Sequence, residues 1–260
     1  MQSNEQPSIP KEVKEFFHID KGQTLLIKGM PGTGKTTLAL EIMSSLCEER
    51  NGIYISTRVD PARLYATNPW IEKVLMPRNV VNATQTKLLG SLNKTSKDLS
   101  NYYAVMDFFR LFFEETEEMD NPMIIIDSWD AVLNYTSHLI GTSQHSFEQN
   151  ICEFARDLDT HLVFVSEFAD VMPLDYIVDG VVTMEQFNLP GHAGGNMRNR
   201  YVRQIKLEKL RGVKINQKTY TVTLHNGRFR FFEPYREHND ARIVSDGVRV
   251  PDPSEDRIST

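Results

Sequence analysis

The sequence predicts an α/β protein with a mostly parallel sheet, helices on both faces and a C-terminal antiparallel hairpin. Short apolar runs alternate with amphipathic segments, which is the pattern of strands connected by crossover helices. The run Met123 to Ile126 is apolar throughout, as expected for a strand that is covered on both faces. Near the end of the chain, two alternating segments flank His225-Asn226-Gly227, whose Asn-Gly pair favours a tight hairpin turn.

The elements follow from apolar spacing and from capping residues. The first predicted helix has Val13, Phe16 and Phe17 on one face, and another begins at Pro61 with Asp60 as its cap. Helices are predicted at residues 11–17, 35–48, 102–118 and 147–158, and from residue 61. Strands are predicted at residues 25–27, 52–56, 79–83, 123–127, 162–166, 176–184, 201–211, 219–224 and 228–232. Residues 188–199, rich in Gly and Asn, are predicted to form a mobile loop.

Composition bounds the class of protein. A chain of 260 residues with 40% hydrophobic and 25% charged residues can bury a core, and is typical of soluble proteins. The net charge of -6 argues against a dedicated nucleic-acid binder. Cys47 and Cys152 suggest neither a disulfide framework nor a metal site. The polar start lacks a secretory signal and no apolar run reaches ~20 residues, so we expect a cytoplasmic protein without a membrane segment.

The segment that follows the first main strand carries the clearest chemical signal. Gly29-x-x-x-x-Gly34-Lys35-Thr36 satisfies the complete P-loop pattern, and a strand and a helix flank it as that motif requires. Gly32 and Gly34 let backbone amides turn toward phosphate oxygens, while the helix N-terminus adds a positive dipole. Lys35 would contact the β- and γ-phosphates, and the Thr36 hydroxyl would bind Mg²⁺. The candidate phosphate-binding residues are Gly29, Met30, Pro31, Gly32, Thr33, Gly34, Lys35, Thr36 and Thr37.

Asp127 ends a buried strand and is the natural partner of the P-loop. In P-loop folds an acid at this position holds Mg²⁺ through water. The alternative is an acid that caps the following helix, but the complete P-loop favours the metal role.

The chain is predicted to comprise a lead segment (1–17), a nucleotide-binding domain (18–233) and a polar, flexible C-terminal tail (234–260).

Several motifs resemble the KaiC-like branch of the RecA superfamily. Ile126-Asp127-Ser128 resembles its Walker B motif, Val178 to Val182 its Asp-Gly strand, and Lys206 to Gly212 its Lys-x-Arg-Gly segment. The resemblance extends over residues 17–232. The segment Tyr54 to Val59, followed by Leu64-Tyr65 and Pro69-Trp70, is more narrowly similar to the archaeal gas-vesicle protein D group of P-loop proteins.

This resemblance implies a RecA-like core that binds ATP and assembles into rings or filaments, with ATP between neighbouring subunits. In that branch the Lys and Arg of the Lys-x-Arg-Gly segment reach the γ-phosphate of the neighbour, and here these residues are Lys209 and Arg211. Strand periodicity would put both on one face with Ile205 and Leu207. The alternative is a pair of solvated charges at a strand end.

The chain departs from the KaiC-like pattern at one catalytic position. Related hydrolases carry glutamates just after the second strand, where this sequence has Arg58 and Val59. Neither can accept a proton from the attacking water, whereas Arg58 could stabilise a bound triphosphate. Asp60 is expected to cap a helix, so Glu167 is the substitute candidate. We therefore expect slow hydrolysis.

Two functions follow from these observations. The first is a regulatory, ATP-binding homo-oligomer that acts as a slow ATPase or nucleotide-dependent switch; the gas-vesicle resemblance implies action through a protein partner. The second is a nucleic-acid-binding recombinase or motor, suggested by a basic run beside the 188–199 loop. This run comprises Arg198, Arg200, Arg203, Lys206, Lys209, Arg211, Lys214 and Lys218. A small-molecule kinase would need an acceptor pocket, and the sequence does not reveal one.

Overall fold

The computed structural model describes residues 9–47, 51–83, 119–140, 144–189, 200–225 and 227–231, together with Phe109, Phe113, Thr116 and Glu117. The helices in this part of the chain are α1 (Lys11–Ile19), α2 (Lys35–Leu46), α3 (Pro61–Thr67), α4 (Trp129–Ile140), α5 (Gln144–Asp157) and α6 (Leu174–Ile177). Within the same residues, short 3-10 helices cover Pro69–Lys73 and Pro77–Asn79.

Nine strands in the described part of the chain form a single sheet. They are β1 (Thr24–Lys28), β2 (Gly52–Ser56), β3 (Val80–Asn82), β4 (Met123–Asp127), β5 (His161–Ser166), β6 (Gly180–Leu189), β7 (Arg200–Leu210), β8 (Thr219–His225) and β9 (Arg228–Phe231). Their order across the sheet is β3-β2-β4-β5-β1-β6-β7-β8-β9. The pairs from β3 to β6 are parallel and those from β6 to β9 are antiparallel. This arrangement confirms the predicted fold class.

Alternation along the strands supplies two apolar cores, one on each face of the sheet. In β1, Leu25 and Ile27 join the core that includes α1 and α2, whereas Leu26 joins the core that includes α4 and α5. α2 contacts β1, β5 and β4, so its N-terminus lies over the carboxyl edge of the parallel strands. The predicted boundary after residue 17 falls inside α1, whose Phe16 and Phe17 are buried in the first core.

Some predicted elements differ from the structure. Residues 176–184 do not form one strand, because α6 ends at Ile177 and β6 begins only at Gly180. Asp175 starts α6 by accepting the Met172 amide at 2.7 Å, and Thr24 binds Asp179 before β6 begins. The helix predicted at 35–48 ends at Leu46, while α4 was not predicted. The predicted helix at 102–118 lies almost wholly outside the described residues, as does the 234–260 tail. Of the loop predicted at 188–199, residues 188–189 belong instead to β6, and residues 190–199 lie outside the described residues.

The prediction that Lys209 shares a face with Ile205 and Leu207 is wrong. The register between β6 and β7 shifts, since Val182 pairs with Leu207 but the adjacent Val181 pairs with Lys209. A β-bulge of this kind inserts one residue and reverses the side-chain alternation beyond it. Lys209 therefore points to the same face as Val181, opposite to Leu207.

No helix among the residues described is both long and apolar enough to cross a bilayer.

Candidate functional site

The P-loop connects β1 to α2 at the carboxyl edge of the parallel sheet. Gly29 has a φ of 144°, and a Cβ there would lie only 2.1 Å from the carbonyl oxygen of Met184, so glycine is required at this position. Gly32, at the exposed turn of the loop, has a φ of 82° and open space around it. The loop ends at Gly34, and α2 begins at Lys35, with its N-terminus facing the loop.

Lys35 lies inside the curve of the loop. Its Nζ donates to the carbonyl oxygens of Gly29 at 2.7 Å and Met30 at 2.9 Å. Burial lowers the pKa of Lys35; Glu167, Asp127 and Asp130 oppose this effect, while Arg58 adds to it. A cation in this place, beside the amides of a helix N-terminus, is suited to binding a polyphosphate.

Asp127, at the end of β4, accepts two hydroxyl hydrogen bonds on one carboxylate oxygen. Thr36 Oγ1 and the Tyr54 hydroxyl each lie 2.6 Å from Asp127 Oδ2. Burial raises the pKa of Asp127, and both hydrogen bonds and the Lys35 charge oppose that rise. The structure thus brings together both predicted metal ligands. Side chains alternate along a strand, and Tyr54 pairs with Ile125, which lies two residues before Asp127 in β4. Tyr54 and Asp127 therefore share a face of the sheet, and this alternation was the available signal for the role of Tyr54.

A hydroxyl and a carboxylate in contact fit the ligand preference of Mg²⁺, which is usually bound by one or two carboxylates, waters and substrate phosphates. Among the residues described there is no group of three or more His, Cys, Asp or Glu that could bind a metal by itself. The donor set therefore suits a cation that phosphate oxygens help to coordinate, rather than a metal held by protein ligands alone.

Arg58 and Glu167 form an ion pair beside Thr36 and Asp127. Arg58 follows β2, Glu167 follows β5, and Arg58 Nη1 lies 2.5 Å from Glu167 Oε2. Thr57 and Asp130 hold the main chains of Arg58 and Glu167 in place, and neither residue was identified from the sequence. Asp130 accepts the amide of Glu167 at 2.5 Å and also binds the Ser166 hydroxyl. The acid three residues after Asp127 was the available signal for Asp130. Asp60 caps α3 as predicted, since it accepts the Ala62 amide at 2.9 Å.

Lys209 and Arg211 do not join this site in the same subunit. Leu210 pairs with Gly180, which pairs with Leu25, so both cations lie at the amino edge of the sheet. The five residues of β1 separate that edge from the P-loop by roughly 16 Å. Lys209 Nζ donates to the Asp175 carbonyl oxygen at 2.6 Å, and Arg211 Nη1 donates to Asp179 at 2.9 Å.

Comparisons with known proteins agree with this geometry. The family model for the P-loop domain of the GvpD gas vesicle protein matches residues 13–208. Protein GvpD2 of Halobacterium salinarum is 32% identical over 86% of this chain, and Protein GvpD1 of the same organism is 29% identical over 86%. These matches cover 44% and 41% of the two relatives, so the chain spans less than half the length of either.

The fold also has a solved relative. A KaiC-like protein from the hyperthermophilic archaeon Pyrococcus horikoshii OT3 superposes with a TM-score of 0.53 at 16% identity, covering 82% of this chain and 90% of the other. This similarity shows a KaiC-like RecA fold. The family match over residues 13–208, with the P-loop at the carboxyl edge of the sheet, establishes that the chain belongs to the GvpD P-loop domain family.

Proposed function

We propose that this protein binds Mg·ATP at the P-loop and acts as a slow ATPase or nucleotide-dependent switch. The observation that carries the proposal is the contact between Thr36 and Asp127 beside the Lys35 ammonium. Lys35 and the α2 N-terminus would bind the phosphates, while Thr36 and Asp127 would hold Mg²⁺. The cation would neutralise charge that develops on the phosphate oxygens during transfer.

Slow turnover is expected because Arg58 and Val59 occupy the positions after β2 where related hydrolases carry glutamates, and Asp60 caps α3. General-base assistance is typically worth ~10²–10⁴ in rate, and Arg58 offers only donors. Glu167 is the nearest substitute, and Arg58 already binds its carboxylate. We infer turnover on the order of one per minute or slower, which suits a switch better than a motor.

Assembly would complete the site. Lys209 and Arg211 lie at the edge opposite to their own P-loop, so they could approach a γ-phosphate only in a neighbouring subunit. A groove of about 410 Å³ opens beside Arg211, and Tyr176 in its lining is 73% exposed. Both features are compatible with a homo-oligomer that has ATP at its interfaces. The similarity to the GvpD gas vesicle protein favours a regulatory role through a protein partner, and we place that role in the cytoplasm.

The nucleic-acid alternative has less support. Lys206 binds Glu185 at 2.7 Å, while Lys209 and Arg211 bind Asp175 and Asp179, so three cations of the basic run have oxygen partners within the chain. These partners reduce the positive charge that the run offers to a phosphate backbone, and the net charge of the chain, -6, disfavours long-range attraction to it.

Calorimetry with ATP, with and without Mg²⁺, tests the proposed function, together with turnover measured over a range of protein concentrations. We expect Mg-dependent binding that Lys35→Ala weakens at least tenfold without unfolding the protein. Lys28→Ala is not a suitable control, because Lys28 forms a buried ion pair with Asp175. The exposed Lys14→Ala is the matched control. Unchanged ATP affinity in Lys35→Ala would overturn the assignment.

A further inference from the structure

The ion pair between Arg58 and Glu167 spans the strand that carries Asp127. Arg58 follows β2 and Glu167 follows β5, and β4 lies between these two strands. Neighbouring strands are about 4.8 Å apart, so the side chains bridge roughly 10 Å across the carboxyl end of β4. They meet at 2.5 Å. The pair therefore arches over the end of the strand whose last residue, Asp127, accepts the Thr36 hydroxyl.

The main chain is fixed at both ends of this arch. On the Arg58 side, the Thr57 amide donates to the Asp127 carbonyl oxygen at 2.8 Å, and the Thr57 hydroxyl accepts the Ser128 amide at 2.6 Å. On the other side, Asp130 accepts the Glu167 amide at 2.5 Å. Asp130 is itself buried and also bound by the Ser166 hydroxyl. The backbones of Arg58 and Glu167 thus have defined positions.

The two side chains are much less restrained than their backbones. The Arg58 side chain is 41% exposed and that of Glu167 is 33% exposed. Ion pairs with this degree of exposure contribute little free energy, because water solvates both partners when they separate. A phosphate group carries more charge than a carboxylate and forms strong bidentate hydrogen bonds with arginine. A phosphate next to the arch could therefore displace Glu167 from Arg58.

Both charges also lie at the edge of the sheet where the P-loop begins, because Lys28 pairs with Ser166 and the residues that follow them are Gly29 and Glu167. The pKa of Lys35 is lowered by burial, Glu167 is the largest of the influences that oppose this, and Arg58 lowers it further. The Lys35 ammonium binds the loop carbonyl oxygens of Gly29 and Met30. A triphosphate bound by Lys35 would consequently meet the arginine and the glutamate together.

We propose that Arg58 and Glu167 form an exchange pair that links ATP binding to water activation. The γ-phosphate takes the place of Glu167 on the Arg58 guanidinium, and the released carboxylate accepts a proton from the attacking water. The water oxygen forms a bond to the γ-phosphorus, and the bond from that phosphorus to the β,γ-bridging oxygen breaks. ADP leaves with the bonding electrons, while the proton on Glu167 passes to solvent after phosphate departs. This inference rests on the proposed function, because it requires ATP at the P-loop.

The exchange accounts for the unusual chemistry after β2. With ATP bound, the guanidinium is shared between the carboxylate and the γ-phosphate, and turnover is slow because Glu167 can accept a proton only while Arg58 is turned to the phosphate. Asp130 is a positioning residue in this scheme, because it holds the Glu167 main chain while the side chain changes partner. Removing the arginine should therefore affect KM and kcat differently, whereas a merely structural ion pair would change folding stability and leave both constants alone.

Four variants test the exchange: Arg58→Gln, Glu167→Gln, the double variant and Arg63→Gln. Arg63 is an exposed arginine on α3, five residues from Arg58, and serves as the matched charge control. Steady-state turnover with Mg·ATP gives kcat and KM, and calorimetry gives ATP affinity. Folding is checked by thermal unfolding, so that a variant that does not fold is recognised and replaced by Arg58→Lys or Glu167→Asp.

Glu167→Gln should retain or improve ATP affinity and lose about 10²-fold in kcat. Arg58→Gln should raise KM about tenfold, because a cation is lost and an unpaired carboxylate faces the phosphates, while kcat does not fall. The double variant should regain part of the lost affinity but keep the low kcat of Glu167→Gln. Arg63→Gln should resemble the wild type. This pattern would support the exchange.

Three outcomes would overturn the exchange while leaving ATP binding intact. These are a wild-type kcat in Glu167→Gln, a parallel fall of kcat and affinity in Arg58→Gln, and the absence of turnover above background in both the wild type and Arg58→Gln. Loss of the proposed function looks different, since ATP would then bind the wild type and Lys35→Ala equally or not at all.

Discussion

The hydroxyl of Thr36 donates to the half-buried carboxylate of Asp127 at 2.6 Å, although the two residues are 91 positions apart. Thr36 belongs to the first turn of α2 and Asp127 ends β4. β5 lies between β4 and the P-loop strand β1, so the contact depends on α2 lying across the sheet. The tertiary fold thereby joins a hydroxyl and a carboxylate into one site for a hard cation.

Asp127→Asn should remove most of the effect of Mg²⁺ on ATP affinity. The amide oxygen of Asn can still accept from Thr36 and Tyr54, so we expect the fold to survive, but the negative charge is lost. Replacing a residue that holds a metal through water typically lowers the affinity for that metal by about 10–100-fold. Calorimetry with ATP at several Mg²⁺ concentrations measures this change. Tyr54→Phe, which removes one donor and no charge, is the control; equal Mg²⁺ dependence in Asp127→Asn and wild type would contradict the prediction.

Two glycines of the P-loop should respond differently to alanine. Gly29→Ala brings a Cβ to 2.1 Å from Met184 O at a positive φ, so we expect a loss of about 3 kcal/mol or more in the free energy of unfolding. Gly32→Ala meets no atom within 4 Å and should cost only about 1 kcal/mol, yet weaken ATP binding by crowding the loop. Urea unfolding and ATP calorimetry separate the two effects. Equal unfolding midpoints would show that the loop adapts around Gly29.

Arg211→Ala should spare ATP binding by isolated subunits and reduce nucleotide-dependent assembly or turnover. The Arg211 side chain is 56% exposed, and Asp179 keeps its bonds to Thr24 and Arg156, so the folded subunit should lose no more than about 1 kcal/mol. Light scattering and turnover at rising protein concentration check the prediction. Lys214→Ala, an exposed cation just beyond Arg211, is the control. Normal assembly and turnover in Arg211→Ala would identify this arginine as a solvated surface charge.

Arg228→Ala should destabilise the fold by leaving Glu41 buried without its main partner. Glu41 on α2 is fully buried and accepts two hydrogen bonds from Arg228, at 2.9 and 2.7 Å. We expect a loss on the order of 2–3 kcal/mol, less than for a fully buried pair because the Arg228 side chain is 46% exposed. Urea unfolding measures the loss. Adding Glu41→Gln should recover part of it, and a double variant as unstable as Arg228→Ala would refute the buried-charge explanation.

His161 should make stability decrease on acidification. Its pKa is lowered to about 4, by burial first and by the nearby His18 next. In the unfolded chain His161 has an ordinary pKa near 6.5. Between about pH 4 and pH 6.5 it is therefore protonated in the unfolded chain but neutral in the folded protein. Stability is therefore full above about pH 6.5, falls as the pH drops, and is lower by about 3 kcal/mol near pH 4.

Urea unfolding between pH 4 and pH 7 measures this slope. His161→Asn is the comparison, since an amide oxygen can still accept the Gln23 amide that Nδ1 accepts at 3.2 Å. The variant should show a shallower dependence on pH in this window. An identical slope in both proteins would assign the pH dependence to other groups.

Much of the fold and of the phosphate site follows from local sequence. The P-loop residues are contiguous, so their spacing alone predicts a glycine-rich turn between β1 and α2, and Asp60-Pro61 alone predicts the start of α3. The continuous apolar runs predict β4 and β5, because a strand covered on both faces needs no polar alternation. These features depend on residues a few positions apart, whose interactions are set by backbone geometry.

Contacts between distant strands had to come from the tertiary structure. Arg58 and Glu167 were each named from their strand ends, but only the order β2-β4-β5 shows that they meet above Asp127. Likewise, the bulge opposite Val181 and Val182 turns Lys209 away from Leu207, which strand periodicity could not reveal. Local spacing determines which residues are available to a site. Strand order and register decide which of them meet, because they arise from packing summed over the whole sheet.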